Sequence, residues 1–133
     1  MIVEAPHVMF ESSMAPGIEA TRREFQSGAL RDKLERLHHD NTDSAFEGWC
    51  RTWRATPFRQ WNIEAFLEGI QVPMLTVQGV DDEYASWAQV DAICRRVRTD
   101  VLQLQCGHWP HLSMPHAVIE ECRVFLECRA QHG

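Results

Sequence analysis

The stretch Val72-Pro-Met-Leu-Thr-Val-Gln-Gly-Val-Asp-Asp-Glu-Tyr84 decides the fold class of this 133-residue chain. Its first half is a nearly continuous apolar run, which is typical of a parallel strand that is covered on both faces. Gly79 then permits a tight turn, and Asp81 and Asp82 follow it in the loop. The stretch therefore predicts a buried strand that delivers two carboxylates to the carboxyl end of a parallel sheet.

A second stretch, Val101-Leu-Gln-Leu-Gln-Cys-Gly-His108, repeats this plan and delivers a histidine. Residues 86–97 and the segment that opens at Pro115 have the apolar spacing of amphipathic helices. Strands that alternate with helices indicate a parallel sheet, whose functional groups gather beyond the carboxyl ends of the strands. An acid from the first loop could therefore bond to His108, fix its tautomer and stabilise the imidazolium that forms when it takes a proton.

The first half of the chain is predicted to be mostly helical. Ile2 and Val3 indicate a short strand that Pro6 ends, and the pattern then becomes helical. The clearest helix has the sequence Ser44-x-x-Glu47 of a capping box at its front and an i, i+3, i+4, i+7 stripe, formed by Phe46, Trp49, Cys50 and Trp53. We divide the chain into residues 1–15 (a core strand and loop), 16–68 (a helical segment) and 69–133 (strands and helices).

Composition excludes several classes of protein. The formal charge is −6 and its signs are interspersed, so no basic surface for nucleic acid is expected. No apolar run approaches the roughly 18 residues that would span a membrane, and the amino terminus lacks the pattern of a signal peptide. The five cysteines are odd in number and form no C-x-x-C motif, so we expect free thiols and a cytoplasmic protein.

The two loops together resemble a known family. Gly79-Val-Asp-Asp82, followed by Cys106-Gly-His108-Trp109, resembles the carboxyl-terminal acid and histidine motifs of the α/β-hydrolase superfamily. The resemblance is closest to esterases and carbon–carbon-bond hydrolases, in which a cap of helices follows the sixth strand. It implies an α/β protein with a partial α/β-hydrolase fold, in which a short parallel sheet carries a helical cap segment at residues 16–68. The chain would then begin within the sixth strand.

The resemblance also implies roles for individual residues. Asp82 matches the acid of a Ser-His-Asp triad, with Asp81 as the alternative, and His108 matches the general base. Substrate contacts are expected from His7, Trp49, Trp53 and Trp109, although the tryptophans of the cap could equally serve only in packing. No cofactor and no metal are implied, because His108 and His111 lack a third ligand at fixed spacing.

One part of the family's pattern is missing. No serine of the chain lies in the G-x-S-x-G motif that carries the nucleophile, and we expect Cys106 to pack at the strand end instead of replacing it. We therefore expect a hydrolase of an ester, acyl or carbon–carbon bond whose isolated 133-residue chain is inactive. The alternatives are a non-catalytic fragment or partner that self-associates through an exposed sheet edge, and a small α/β binding module in which Asp82 and His108 are incidental.

Overall fold

The computed structural model describes residues 1–130, with side chains up to Cys128, and it divides into two compact units. One unit comprises Met1–Met9 and Asn62–Gly133, and the other comprises Phe10–Trp61. The helical segment predicted at residues 16–68 thus contributes to both units, and its assignment as a cap stays a prediction. The last three residues of the predicted segment 69–133 lie outside the described residues.

A parallel three-stranded sheet forms the centre of the first unit, as the sequence predicts. Its strands are β1 (Ile2–Glu4), β2 (Met74–Gly79) and β3 (Thr99–Leu104), in the order β1-β2-β3. Ile2 is opposite Leu75 and Met74 is opposite Thr99, so the three carboxyl ends lie at the same edge. Every residue of β2 is buried, as expected of a central parallel strand.

The second unit is helical. It contains α1 (Ala15–Gln26), α2 (Ala29–His38) and α3 (Thr42–Arg54), with 3-10 turns at Ser12–Met14, His39–Asn41 and Thr56–Gln60. The rings of Phe25 and Phe46 stack in its core with centroids 3.7 Å apart. The predicted capping box is wrong, because α3 begins two residues before Ser44 and so includes it. Helical geometry starts at Thr42, whose buried hydroxyl donates to the carbonyl of His39 at 2.6 Å.

Helices cover both faces of the sheet in the first unit. They are α4 (Glu64–Leu67), α5 (Trp87–Arg96), α6 (Pro110–Ser113) and α7 (Pro115–Ala130). Met74 packs with Ile93 of α5 in one cluster, whereas Leu75 and Val77 pack with Phe125 of α7 in another. Successive strand residues point to opposite faces, so β2 supplies both clusters. None of the described helices is long and apolar enough to cross a membrane.

Candidate active site

Asp82 lies in the loop after β2 and its side chain is fully buried. Its Oδ1 accepts hydrogen bonds from the backbone amides of Tyr84 at 2.8 Å and Ala85 at 3.0 Å. Its Oδ2 accepts from Nε2 of Gln78 at 2.8 Å. Aspartate commonly closes a turn in this way by bonding to amides that follow it in the chain. The local sequence thus holds this carboxylate in one orientation before any distant residue contacts it.

His108 provides the fourth contact of that carboxylate. Its Nδ1 lies 2.9 Å from Oδ2 and 3.0 Å from Oδ1 of Asp82. An ionised carboxylate can only accept, so Nδ1 carries the proton and donates it. The other ring nitrogen, Nε2, then carries the lone pair when the imidazole is neutral. This tautomer is the one that can remove a proton from a nucleophile.

Burial and hydrogen bonding act in opposite directions on Asp82. Burial alone would raise the pKa of its carboxyl group, because the charged form loses its hydration. The hydrogen bonds from His108, the amide of Tyr84 and the side chain of Gln78, with the charge of the imidazolium, outweigh that effect. The pKa of Asp82 therefore lies below its usual value. The group is a permanent anion near neutral pH, as a residue that orients an imidazole must be.

The loop that carries His108 is held directly against the end of β2. The amide of Val80 donates to the carbonyl of Leu104 at 2.9 Å, and that of Asp81 donates to the carbonyl of Cys106 at 3.1 Å. A Cβ on Gly79 would lie only 2.3 Å from the carbonyl oxygens of Cys106 and Gly107. The need for glycine at position 79 therefore comes from this close approach of two backbone segments. The expected turn follows at Val80 and Asp81, and it does not use the left-handed conformation that glycine permits, because the φ of Gly79 is not positive.

Three aromatic side chains surround the imidazole of His108. Its ring centroid lies 4.9 Å from that of Tyr84, 5.0 Å from that of Trp109 and 5.7 Å from that of His7. The geometry thus brings His7 and Trp109, both predicted from the sequence, to the same imidazole. Tyr84 was not predicted as a site residue, although its place two residues after the acid could have indicated it. The roles of His7 and Trp109 as substrate contacts stay predictions.

Gln89 was not predicted from the sequence, and it holds the segment that directly follows His7. The side chain is buried in α5, and its Oε1 accepts from the amides of Val8 at 2.7 Å and Met9 at 3.2 Å. Its Nε2 donates to the carbonyl of Met9 at 2.9 Å. One side-chain amide thus bonds to three backbone groups of the segment that follows His7, whose carbonyl of Val8 also accepts from the amide of Ile63. A polar residue on the apolar side of α5, beside Val90 and Ile93, was the available signal.

A second acid–imidazole pair lies at the same edge of the sheet. Nδ1 of His111 lies 2.7 Å from Oε1 of Glu4, which also accepts from the backbone amide of His111 at 3.1 Å. Glu4 is the last residue of β1, and His111 belongs to α6. The pair therefore fastens the segment that follows His108 to the end of β1. The described residues contain no cluster of three or more His, Cys, Asp or Glu side chains that could hold a metal ion.

The remaining predicted residues lie elsewhere or lack the required chemistry. Trp49 and Trp53 belong to the second unit, where Trp49 contacts Phe46 and Trp53 contacts the rings of Phe58 and Trp61. Their role as substrate contacts stays a prediction. Cys106 is buried at the strand end, as expected. Burial, followed by the nearby charges of Glu4, Asp81 and Asp82, raises the pKa of its thiol, which therefore lacks the thiolate that a nucleophile needs.

Solved structures resemble this chain over nearly its whole length. A serine hydrolase involved in carbazole degradation matches 96% of it with a TM-score of 0.64 and 15% identity. An esterase from Rhodococcus sp. ECU1013 matches 95% with a TM-score of 0.57 and 16% identity, and a hydrolase from Pseudomonas aeruginosa PA01 matches 94% with a TM-score of 0.56 and 16% identity. Searches against protein-family models and the curated proteins find no match.

These likenesses define the fold class. The chain has a partial α/β-hydrolase fold, which confirms the expectation from the two loop motifs. It spans about half the length of the structures it matches, 53%, 55% and 54% of the three chains in the order given above. At these identities the likeness establishes the fold, and the activity has to be argued from the site.

Proposed function

We propose that this chain supplies the acid and the base of a Ser-His-Asp triad to a hydrolase of the α/β-hydrolase type. Asp82 is the orienting acid and His108 the general base, and the substrate is a small molecule with an ester, acyl or carbon–carbon bond. The observation that carries the proposal is the bond of 2.9 Å between Nδ1 of His108 and the buried carboxylate of Asp82. The nucleophile is provided from outside these 133 residues, since no serine lies in a G-x-S-x-G motif.

The proposed chemistry uses the two nitrogens of His108 differently. Nε2 takes the proton of the nucleophile's hydroxyl group as its oxygen attacks the carbonyl carbon. Nδ1 keeps its proton and its bond to Asp82, whose charge stabilises the imidazolium. The imidazolium then gives the proton on Nε2 to the leaving group, and a water molecule repeats the sequence to release the acid. Metal or cofactor chemistry has no part in this scheme.

The surroundings of the imidazole support a substrate with an apolar part. Tyr84, Trp109 and His7 present aromatic rings around His108, and Trp109 is 53% exposed. In the proposed enzyme these rings contact the substrate. All five cysteines are free thiols, which supports a cytoplasmic location as part of the proposal.

An activity assay with and without a nucleophile tests the proposal. The purified 133-residue chain is expected neither to hydrolyse p-nitrophenyl acetate above background nor to label with a fluorophosphonate. The reading frame upstream of Met1 is then expressed together with the chain. A G-x-S-x-G segment there, with esterase activity that His108→Ala abolishes and His116→Ala leaves intact, is the expected result. His116 is a matched control because it is an exposed histidine in the first turn of α7.

Two outcomes contradict the proposal. Turnover by the 133-residue chain that requires His108 would place the nucleophile within it. An extended protein with a G-x-S-x-G segment and full activity after His108→Ala would show that the bond between His108 and Asp82 is incidental. The second outcome would leave the small α/β binding module as the better interpretation.

A non-catalytic partner that self-associates is the second candidate, and exposed apolar residues favour it. Ile119 and Leu126 lie seven residues apart on one side of α7 and are 66% and 57% exposed. Within the described residues, β1 pairs only with β2, so its other edge is open to a second copy of the chain. Light scattering after size-exclusion chromatography tests whether the chain self-associates. The second candidate is supported if the chain forms an oligomer that Leu126→Glu dissociates and that Leu37→Glu, in the other unit, leaves intact. A wild-type monomer at high concentration excludes it.

A further inference from the structure

The helical unit contains a cleft that the proposed triad does not use. Its volume is about 590 Å³, and all of its lining residues belong to Phe10–Trp61. Buried side chains of Met14 and Ile18 form an apolar floor, and the rings of Phe10 and Trp53 stand beside it. Small-molecule sites commonly occupy about 300–1,000 Å³ and are mainly apolar with a few polar groups. The cleft has the size and the lining of such a site.

The polar groups of this cleft are mainly arginines. Arg51, Arg54 and Arg59 line it, all with exposed side chains, together with one acid, Glu19. The carboxylate of Glu19 is engaged by Arg22, whose Nη2 lies 2.6 Å from Oε1 and whose Nε donates at 2.9 Å to Oε2. Its negative charge is therefore largely neutralised outside the cleft.

Arg51 has a close acid partner among the described residues, whereas Arg54 and Arg59 do not. Nε of Arg51 donates to Glu47 at 3.0 Å, whereas Nη2 of Arg54 is 4.0 Å from Glu19, at the limit of an ion pair. Arg59 forms no ion pair with any residue that the structure describes. The cleft thus combines buried apolar side chains with the guanidinium group of Arg59, which has no ion pair among the described residues, and that of Arg54, which is only weakly paired.

We propose that this cleft binds a small amphipathic carboxylate. The guanidinium fork of Arg59 or of Arg54, which line the same cleft, matches the two oxygens of a carboxylate, and the apolar floor takes an aliphatic or aromatic tail. A bare inorganic anion would satisfy the rim and leave the floor in contact with water, and a neutral lipid would leave the arginines without a partner. The site is a property of the helical unit alone and is independent of the chemistry proposed for His108.

Calorimetric titration of the purified chain tests the proposal with four probes. Octanoate and 4-phenylbutanoate distinguish aliphatic from aromatic tails, octanamide removes the charge, and inorganic phosphate removes the tail. At least one of the carboxylates is expected to bind at least tenfold more tightly than either control. Its binding is expected to weaken as salt is raised, because the arginines are exposed to solvent. The indole signal of Trp53 in NMR spectra, assigned with Trp53→Phe, should shift as the ligand binds.

Substitutions of arginine locate the site. Arg59→Gln is expected to raise the Kd about fivefold, the upper range for an exposed ion pair, and Arg54→Gln to act in the same direction. Arg36→Gln is the matched control, because it removes the same charge from an exposed position on α2 that does not line the cleft. Equal binding of octanoate and octanamide, equal effects of Arg59→Gln and Arg36→Gln, or phosphate binding as tightly as the carboxylates would each overturn the proposal. Inactivity towards esters would have no bearing on it.

Discussion

Replacement of Asp82 by asparagine is the most direct test of the site, because it keeps the shape and removes the charge. The amides of Tyr84 and Ala85 can still donate to the Oδ1 of asparagine. In the variant, Nδ1 of His108 and Nε2 of Gln78 both lose the charged oxygen that accepts their hydrogen bonds. A hydrogen bond to a charged group contributes about 1.5–3 kcal/mol. Gln78 can recover part of this loss by turning its amide, since its buried Oε1 has no hydrogen-bond partner among the described residues.

We therefore expect Asp82→Asn to lower the free energy of unfolding by about 2 kcal/mol at pH 7. The pKa of Asp82 is lower in the folded protein than in the unfolded chain, so its charge stabilises the fold above the unfolded pKa of about 4. This contribution is lost as the pH falls through the folded pKa, which lies below that value. The difference between wild type and variant should therefore shrink below about pH 4.

Urea denaturation at several pH values measures the difference in stability. NMR of the ¹⁵N-labelled imidazole measures which ring nitrogen of His108 carries the proton. The ring shifts should show a proton on Nδ1 in the wild type, and on Nε2 in the variant, since the amide of asparagine presents a donor. Asp81→Asn is the control, because Asp81 is the exposed neighbour, and it should change the stability by less than about 0.5 kcal/mol. Equal stability losses for the two variants, or an unchanged tautomer in Asp82→Asn, would refute the reasoning.

Two further substitutions test how the site is positioned. Gly79→Ala places a Cβ 2.3 Å from the carbonyl oxygens of Cys106 and Gly107, so the loop that carries His108 must move. We expect a loss of at least about 2 kcal/mol in urea denaturation and shifted NMR signals of this loop. Unchanged signals would contradict the close contact. Gln89→Leu leaves the buried amide of Val8 and two half-buried backbone groups of Met9 without the side-chain amide that they bond to. We expect a loss of about 2–3 kcal/mol in urea denaturation and faster amide exchange at Val8, and unchanged exchange at Val8 would contradict this role of Gln89.

The order and type of the elements in the first unit could be predicted from hydrophobic patterns, but their bounds could not. The strand predicted from Val72 begins at Met74, because Pro73 has no N–H to give to a ladder. The last helix carries an apolar stripe of five residues, Val118, Ile119, Cys122, Phe125 and Leu126. Two of them, Val118 and Phe125, are buried, whereas Ile119 and Leu126 are exposed. Periodicity identifies the apolar side of a helix and does not say how much of that side another layer covers.

The acid of the site was only partly predictable, because two neighbouring carboxylates have the same local environment in a sequence. The resemblance to the family motif favoured Asp82 and left Asp81 as the alternative. Hydrogen bonds in the structure distinguish the two carboxylates. Asp82 accepts hydrogen bonds from the amides of Tyr84 and Ala85, which turn its side chain inward, whereas Asp81 is exposed. The different environments of Asp81 and Asp82 thus depend on the conformation of the loop, which cannot be predicted from the identity of the two residues.

The residues that were missed share a physical signal. Gln89 is a polar residue within the apolar stripe of α5, and its partners are 81 and 80 residues away in the chain. Glu4 ends a short strand, and its partner His111 is 107 residues away. A polar side chain on the core face of a helix, such as Gln89, can be tolerated only if it finds a hydrogen-bond partner, because its desolvation otherwise costs about 1–3 kcal/mol. Such a residue therefore predicts a distant backbone or imidazole partner, even where the sequence does not say which one. In this chain the partners of Gln89 and Glu4 lie within four residues of His7 or His108, so both contacts hold the segments that carry these histidines.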